Sequence, residues 1–564
     1  MQDTGTLTSP APLSPLALRD RIEALDVVRG FALIGICLMN LDFFNRSVLL
    51  VGTGLPPGLT GIDYAAAFFT GYFVTGKFWT IFSLLFGMGF AVMLTRAEQA
   101  GRPFMAPYLR RIAALAVFGA LHHIFIWGGD ILFSYAVAAL FLLIALYGGW
   151  KFIVAMAVLF FGLSAMPELR PYAGPVVSTT VIVGLVALYL RNESRRFGMP
   201  AVSLVLLVLA ILLAIADAVM WTMDLGPKMV RIPLAIGAAL LLLLSWLSSR
   251  YHNPASLRTL RAGVAIWVLV FGSGTIGGAV QYFGSRAAPA PAAVQSAPVA
   301  APAAGATADK AVAAKPAADS DAERKAARAK AEAERAKDIA HDTRVVSTGS
   351  YWEGVELRAR QFLKRPPREA GFATILVAMF LIGTWFVRSG VMANTAAHLP
   401  LFRKLALYGI PLGVGLGLLG SLVATTRMPD DGGAFQMAFS MLLLGNLPAS
   451  LGYASAVILM LHSASWMSKI RVLAPFGRMA LTNYLMQSLI CAVVFYDWGL
   501  GYFGMGRAAQ LGFALGLCAV QIVMSHVWLQ RYHYGLLEWV WRAVTYKTLP
   551  PLRRQPLPAG AQPA

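Results

Sequence analysis

Long apolar runs recur along this chain from residue 27 to residue 529, and they fix the solvent it folds in. About 20 consecutive apolar residues suffice to carry a helix across the hydrocarbon of a bilayer. A window of about 19 residues picks out fourteen such runs. Nine centre on 27–45, 78–95, 110–128, 131–148, 151–167, 173–190, 200–222, 231–247 and 262–283. Five more centre on 370–388, 402–424, 436–462, 474–496 and 508–529. The runs at 131–148 and 151–167 are short enough to form a broken hairpin instead of two spans. The run at 62–76 is bracketed by Asp63 and Lys77 and is expected to be an interfacial helix, not a span. Only 13% of residues are charged, against about 25% in soluble domains. The expected fold class is therefore all-α, a polytopic integral membrane helix bundle of about 14 spans.

Charge orients the bundle. With the N-terminus in the cytoplasm and sides alternating, cytoplasmic segments hold 25 of the 47 Lys and Arg residues and the opposite loops hold 7. The other 15 fall in the insert 284–369, which is too long to obey the positive-inside rule. The asymmetry predicts N-in, C-in topology and accounts for most of the net charge of +20, so no nucleic-acid partner is needed to explain it. The first 18 residues are polar and Pro-rich, so no cleaved signal peptide is expected. Cys37, Cys491 and Cys518 lie in apolar runs, in no disulfide or metal spacing.

Five regions follow. Residues 1–285 form an N-terminal transmembrane bundle. Residues 286–345 form an insert on the outer side, with a low-complexity Ala/Pro stretch at 287–318 expected to be disordered and a charged Ala-rich helix at 319–341 expected to be a solvated spacer. Residues 346–369 form an outer surface helix, 370–530 a C-terminal transmembrane bundle, and 531–564 a cytoplasmic amphipathic segment and tail.

Polar side chains inside hydrocarbon are costly, by about 2.5–3.5 kcal/mol for a charge on insertion scales. Asp26 and Arg29 share a helical face and are spaced to pair. Asn40 follows Arg29 by eleven residues, about 16 Å along a helix, towards the outer side. Arg29 and Asn40 read either as a snorkelling cation and a capping amide or as site residues. In "LHHIFIWGGDIL", Asp130 lies eight residues beyond His122. This pair reads either as a wet helix end or as a base with its orienting carboxylate; Gly128 and Gly129 are placed to break the helix between them. Adjacent histidines with a distant aspartate lack zinc spacing, and no metal is expected. In "PFGRMALTNYLMQSLI", Arg478, Thr482, Asn483, Tyr484, Gln487 and Ser488 form a dense polar stripe, either helix–helix glue or the lining of a cavity. Ser83, Gly87 and Gly89 suit close helix packing.

Three stretches together resemble a known family: "RIEALDVVRGFALIGICLMN"; "KFWTIFSLLFGMGF" with "LHHIFIWGGDIL"; and "LAPFGRMALTNYLMQSLI…FYDWGLGYFG" with "RYHYGLLEWVWR". The chain is similar to the YeiB-like membrane proteins, domain-of-unknown-function family 418, with "GSYWEGVELRAR" as the central piece. It departs at "YGLLEW", where the family usually has a proline before Leu-Glu-Trp. The first span also resembles that of transmembrane acyltransferases. In the acyltransferase-3 group an arginine is followed, after ten residues, by a histidine. Here those positions are Arg29 and Asn40. The heparan-glucosaminide acetyltransferase-like group also has asparagine there, and its members pass an acyl group from a cytoplasmic thioester to a glycan across the membrane.

The resemblance implies a multi-pass acyltransferase of the bacterial inner membrane. Acyl-CoA would be the co-substrate, with no resident cofactor. A hydroxyl or amine on a glycan or small molecule would be the acceptor. Arg29, Arg478, Asn483 and Gln487 would bind the donor; His122 would be the base, Asp130 its orienting group and Asn40 an oxyanion donor. The chief alternative is a multi-pass transporter or flippase of a small metabolite or lipid.

Overall fold

A computed structural model describes residues 22–50, 52–223, 228–287, 317–426 and 432–554. The Ala/Pro stretch expected to be disordered and both chain ends lie largely outside these residues. The described chain is helical almost throughout, with one two-residue strand pair, Arg195–Arg196 with Met199–Pro200. Its helices are α1 (Glu23–Leu41), α2 (Gly61–Phe69), α3 (Lys77–Gln99), α4 (Met105–Phe125), α5 (Leu132–Tyr147), α6 (Trp150–Ser164), α7 (Arg170–Arg191), α8 (Ala201–Thr222), α9 (Lys228–Arg250) and α10 (Arg258–Ala287). The insert and the second half supply α11 (Ala317–Thr348), α12 (Tyr351–Leu363), α13 (Pro366–Arg388), α14 (Leu399–Thr426), α15 (Gly432–Leu461), α16 (Leu473–Arg478), α17 (Ala480–Phe495), α18 (Arg507–Arg531) and α19 (Leu536–Tyr546).

Every apolar run falls on a helix. Among the described residues, 9 helical stretches are long and apolar enough to cross a membrane, or up to 10 if the bent pair α16–α17 counts as one span. α5, α6 and residues 234–250 of α9 are shorter apolar helices. The segment expected to be interfacial differs. α2 runs through a wide turn at Thr70–Val74 into α3, giving a helical stretch of 39 residues. That is about 58 Å at 1.5 Å per residue, too long for a straight span. Gly76, at φ +85°, bends it. Asn446 fills the space that a side chain there would need.

α13 is the hub. Leu376 to Ile382 are buried without a break, so this helix is apolar all round and is enclosed by α3, α5, α7 and α10. Small residues set the approach distances. A methyl at Gly87 of α3 would strike the Phe380 backbone, and one at Gly383 would strike the Leu84 carbonyl. The outside of the bundle is greasy: Phe152, Val158, Leu159 and Phe161 on α6, and Leu209, Ile211, Leu212 and Ile215 on α8, are exposed. Apolar surface of that extent is stable only against lipid. This is a membrane protein.

Candidate functional site

Two close helix approaches build the site. Gly30 of α1 lies against Leu473 of α16, and Gly477 of α16 lies against the Asp26 carbonyl; a Cβ at either glycine would collide with backbone. The contact brings Arg478 beside the start of α1. There Arg29 Nη1 donates to Asp26 Oδ1 at 2.8 Å, the pairing that their spacing predicts.

The polar stripe of the thirteenth run is divided. α16 and α17 meet at a bend of 78° around Met479. Breaking the helix strands backbone donors at the start of α17. Glu538 of α19 satisfies them. The Leu481 and Thr482 backbone N–H groups donate to its Oε1 at 2.7 and 3.0 Å, and the Thr482 hydroxyl donates to its Oε2 at 2.5 Å. A carboxylate at a helix N-terminus also meets the positive end of the dipole. Burial pushes the Glu538 carboxyl above its ordinary range, against the downward pull of these bonds. Beyond the bend, Asn483 donates to the Ser525 hydroxyl at 3.0 Å and Gln487 Nε2 donates to Gln521 Oε1 at 3.0 Å. Both therefore bond α18, although Asn483 also donates to the Phe476 carbonyl of α16 at 3.2 Å, and neither lines the cavity that Arg478 lines.

A cavity of about 290 Å³ opens where α1 begins, α3 ends and α4 begins. Five arginines line it: Arg29, Arg96, Arg111, Arg478 and Arg542. Two carboxylates, Asp26 and Glu538, also reach it, so among the described residues its lining is net cationic. Trp541 carries the Arg111 guanidinium 3.9 Å above its ring. Inward the lining turns apolar through Ile36, Phe82, Phe86 and Leu132, and it ends at Tyr135 and Tyr484. Gly87 and Gly89 part company here. Gly87 lets helices touch, whereas Gly89 lines the cavity with nothing within 4 Å of its missing Cβ.

His122 lies beyond that inner end. The Ile126 and Trp127 N–H groups both bond the His122 carbonyl, so α4 ends there, and Gly128–Gly129 return the chain to Asp130. His122 Nδ1 is 2.9 Å from Asp130 Oδ1, and both side chains are fully buried. Asp130 Oδ2 accepts the Phe133 N–H at 2.9 Å. His122 Nε2 is buried without a hydrogen-bond partner. Its ring packs edge-on to Tyr484, with centroids 5.2 Å apart. His122 and Asp130 do not line the arginine cavity. Asn40 does not either; it borders a small hole of about 10 Å³ that it shares with Tyr484, Gln487 and Ser488. Arg29 and Arg478 thus share one hollow. His122 and Asp130 form a separate pair, and Tyr484 touches both the hollow and the pair.

Sequence reading missed two side chains, Glu538 and Arg365; Tyr484 belongs to the polar stripe that the sequence offered as a cavity lining, and it does line the cavity. Arg365, just before α13, donates to the Asp130 carbonyl, to the Ser134 hydroxyl at 3.0 Å, to His123 Nδ1 at 2.8 Å and to Glu369. Arginine is only a donor, so His123 Nδ1 accepts. The surface helix α12 lies over the same end of α4: Arg358 Nε donates to the Ile124 carbonyl at 3.0 Å and the Tyr351 hydroxyl to the Phe125 carbonyl at 3.1 Å. α12 thereby satisfies carbonyls that the helix end leaves open.

Residues 386–548, which hold the bent pair and α19, match the family model described as protein of unknown function, DUF418. The chain is 31% identical over 179 residues to the uncharacterized protein YeiB of Escherichia coli K12, covering 31% of this chain and 45% of that one. The DUF418 match thus lies in the C-terminal part of the chain. Along nearly its whole length the chain is similar to the uncharacterized protein YxaH of Bacillus subtilis 168, at 26% identity over 550 residues, 96% of this chain and 98% of the relative. An uncharacterized 39.9 kDa protein from an amylase 3' region of Bacillus acidopullulyticus is 40% identical over 131 residues, 23% of this chain and 36% of its own. No solved structure matches.

Proposed function

We propose that this protein is an acyltransferase of the bacterial inner membrane, N-in and C-in, moving an acyl group from cytoplasmic acyl-CoA to a hydroxyl or amine on the outer side. The supporting observation is the sequence of environments along one path. It runs from five arginines, through an apolar throat, to a tyrosine packed on a carboxylate-held histidine. Arginines suit the donor's phosphates. The apolar throat suits its pantetheine arm and acyl group, and excludes water from the thioester.

His122 Nε2 takes the proton from the acceptor as its oxygen or nitrogen bonds the acyl carbon. The C–S bond breaks, and the departing thiolate takes that proton back as the free thiol. Asp130, bonded to Nδ1, holds the imidazole in one tautomer and stabilises its cation. Asn40, which borders the small hole that Tyr484 also lines, would serve as an amide donor for the oxyanion. Asn483 and Gln487 serve the α17–α18 contact in this mechanism, not the donor. Transfer requires the Tyr484 ring to turn, because it stands between donor and base.

Purified protein is expected to bind acetyl-CoA, and Arg29→Ala with Arg478→Ala to weaken that binding together. Binding that ignores both arginines would count against the donor site. Retained turnover in His122→Ala would remove the base. A second reading, transport of an anionic amphiphile, draws on the broken pair α16–α17, since discontinuous helices line many carrier sites. Uptake into proteoliposomes with no acyl donor present would favour it.

A further inference from the structure

Tyr484 occupies a position that neither the donor-site arginines nor the histidine pair explains. It is the side chain common to the inner end of the 290 Å³ cavity and to the small hole beside Asn40. It is only 7% exposed. Its ring packs on His122 at 5.2 Å. Its hydroxyl is buried, and although the Ile131 backbone N–H faces it, no hydrogen bond of normal geometry forms. A buried hydroxyl left unpaired is destabilising, and such atoms recur where a ligand supplies the missing partner. Tyr135, the other tyrosine at the inner end, is different: its hydroxyl donates to the Trp79 carbonyl at 3.1 Å and meets Ser83 at 3.1 Å. Of these two phenols, Tyr484 keeps its O–H for something else.

The geometry points to a donor role: the Tyr484 hydroxyl gives a hydrogen bond to the carbonyl oxygen of the bound acyl group, at the inner end of the arginine cavity. This rests on the acyl-CoA reading and deepens it. The arginines would recognise the nucleotide carrier whether or not it is acylated. Tyr484 would recognise the acyl group itself and hold its carbonyl at the inner end of the cavity, from which a turn of its ring opens the way to His122. The ring also forms the end wall, so it bounds the acyl chain that fits. No covalent step is added: the phenol keeps its proton and polarises the C=O bond, easing attack on the carbonyl carbon.

The test compares CoA with acetyl-CoA on the full chain in lipid nanodiscs, by calorimetry. Wild type is expected to prefer acetyl-CoA. Tyr484→Phe keeps the ring, and is expected to leave CoA affinity unchanged while reducing the acetyl-CoA preference by roughly fivefold, the scale of one hydrogen bond. Isotope-edited infrared spectra of carbonyl-labelled acetyl-CoA supply a signature that a packing role would not move. The bound carbonyl band should shift to lower frequency in wild type and return towards its free position in Tyr484→Phe. Tyr484→Ala should bind hexanoyl-CoA more tightly than wild type does, because the end wall is gone. An unchanged CoA-to-acetyl-CoA ratio with an unchanged carbonyl band would overturn the Tyr484 role and leave the donor site standing. Failure of wild type to bind either thiol or thioester would overturn the acyl-CoA reading, and this inference with it.

Discussion

The two ends of the bundle treat charge in opposite ways. At the end where α1 starts, five arginines surround an open hollow with only two carboxylates among them. At the other end, the charged and polar groups are interlocked. Asp130 is bonded by His122 and Phe133 and faced by Arg365, whose Nη1 is 3.9 Å from its Oδ2, and α12 lies over the whole cluster. Asp42 is likewise held by Arg46, at 2.9 Å, and by Arg507. The first arrangement gathers positive charge about a hollow, which favours anions there. The second spends its charges on fixing geometry, as a group that must hold one proton in one place requires. In the proposed mechanism, binding and proton transfer are separated along the bundle, with Tyr484 between them.

Four perturbations would break or sharpen that contrast. The largest effect is expected from His122→Ala, which should lower acyl transfer by about 10²–10⁴-fold while acetyl-CoA affinity, read by calorimetry, stays within about twofold. A parallel loss of affinity would mean that the two ends are not functionally separate. Arg29→Ala with Arg478→Ala should do the reverse, weakening binding by roughly 10–100-fold if each charge-assisted contact is worth about 1.5 kcal/mol or less. Salt should weaken wild-type binding and affect the double variant less.

Glu538→Ala should destabilise the bent pair by about 1–2 kcal/mol, since it removes the acceptor for two α17 N–H groups. Thermal unfolding in detergent measures it. The same carboxyl carries a pH dependence. Its folded value lies above the ordinary 4.5 because of burial. Its contribution to stability is therefore full below pH 4.5 and declines as pH rises through the elevated folded value. Glu538→Gln should flatten that decline in melts taken across the acidic range. The smallest effect is a gain. Tyr484→Phe should raise the ligand-free melting temperature by the equivalent of about 1 kcal/mol, because an unpaired buried hydroxyl disappears. A loss of stability would mean that the hydroxyl has a structural partner.

Hydrophobicity made the helices legible, because each apolar run must bury its backbone groups internally wherever it lies in lipid. Local spacing was equally informative. Asp26 and Arg29, three residues apart, do pair, and His122 meets Asp130 because Gly128–Gly129 turn the chain back. What stayed hidden depends on partners distant in sequence. Pro475 and Gly477 stand just before Met479, but they do not announce a 78° bend. The break is stabilised by Glu538, 57 residues after Leu481. Arg365 reads as one more basic residue in "FLKRPPRE", and only the fold brings it to His123, 242 residues earlier. Asn483 and Gln487 carry the residue types of a binding stripe, but the bend turns them to α18. Lys77, read as the end of the 62–76 segment, is completely buried, which no local pattern announces.

A structure determined with a non-transferable acetyl-CoA analogue addresses the central claim most directly. The account predicts phosphates among Arg29, Arg111 and Arg478, an acyl carbonyl within hydrogen-bonding distance of the Tyr484 hydroxyl, and His122 still bonded to Asp130. Density for the analogue anywhere else, or a lipid tail filling the arginine cavity in its presence, would contradict it.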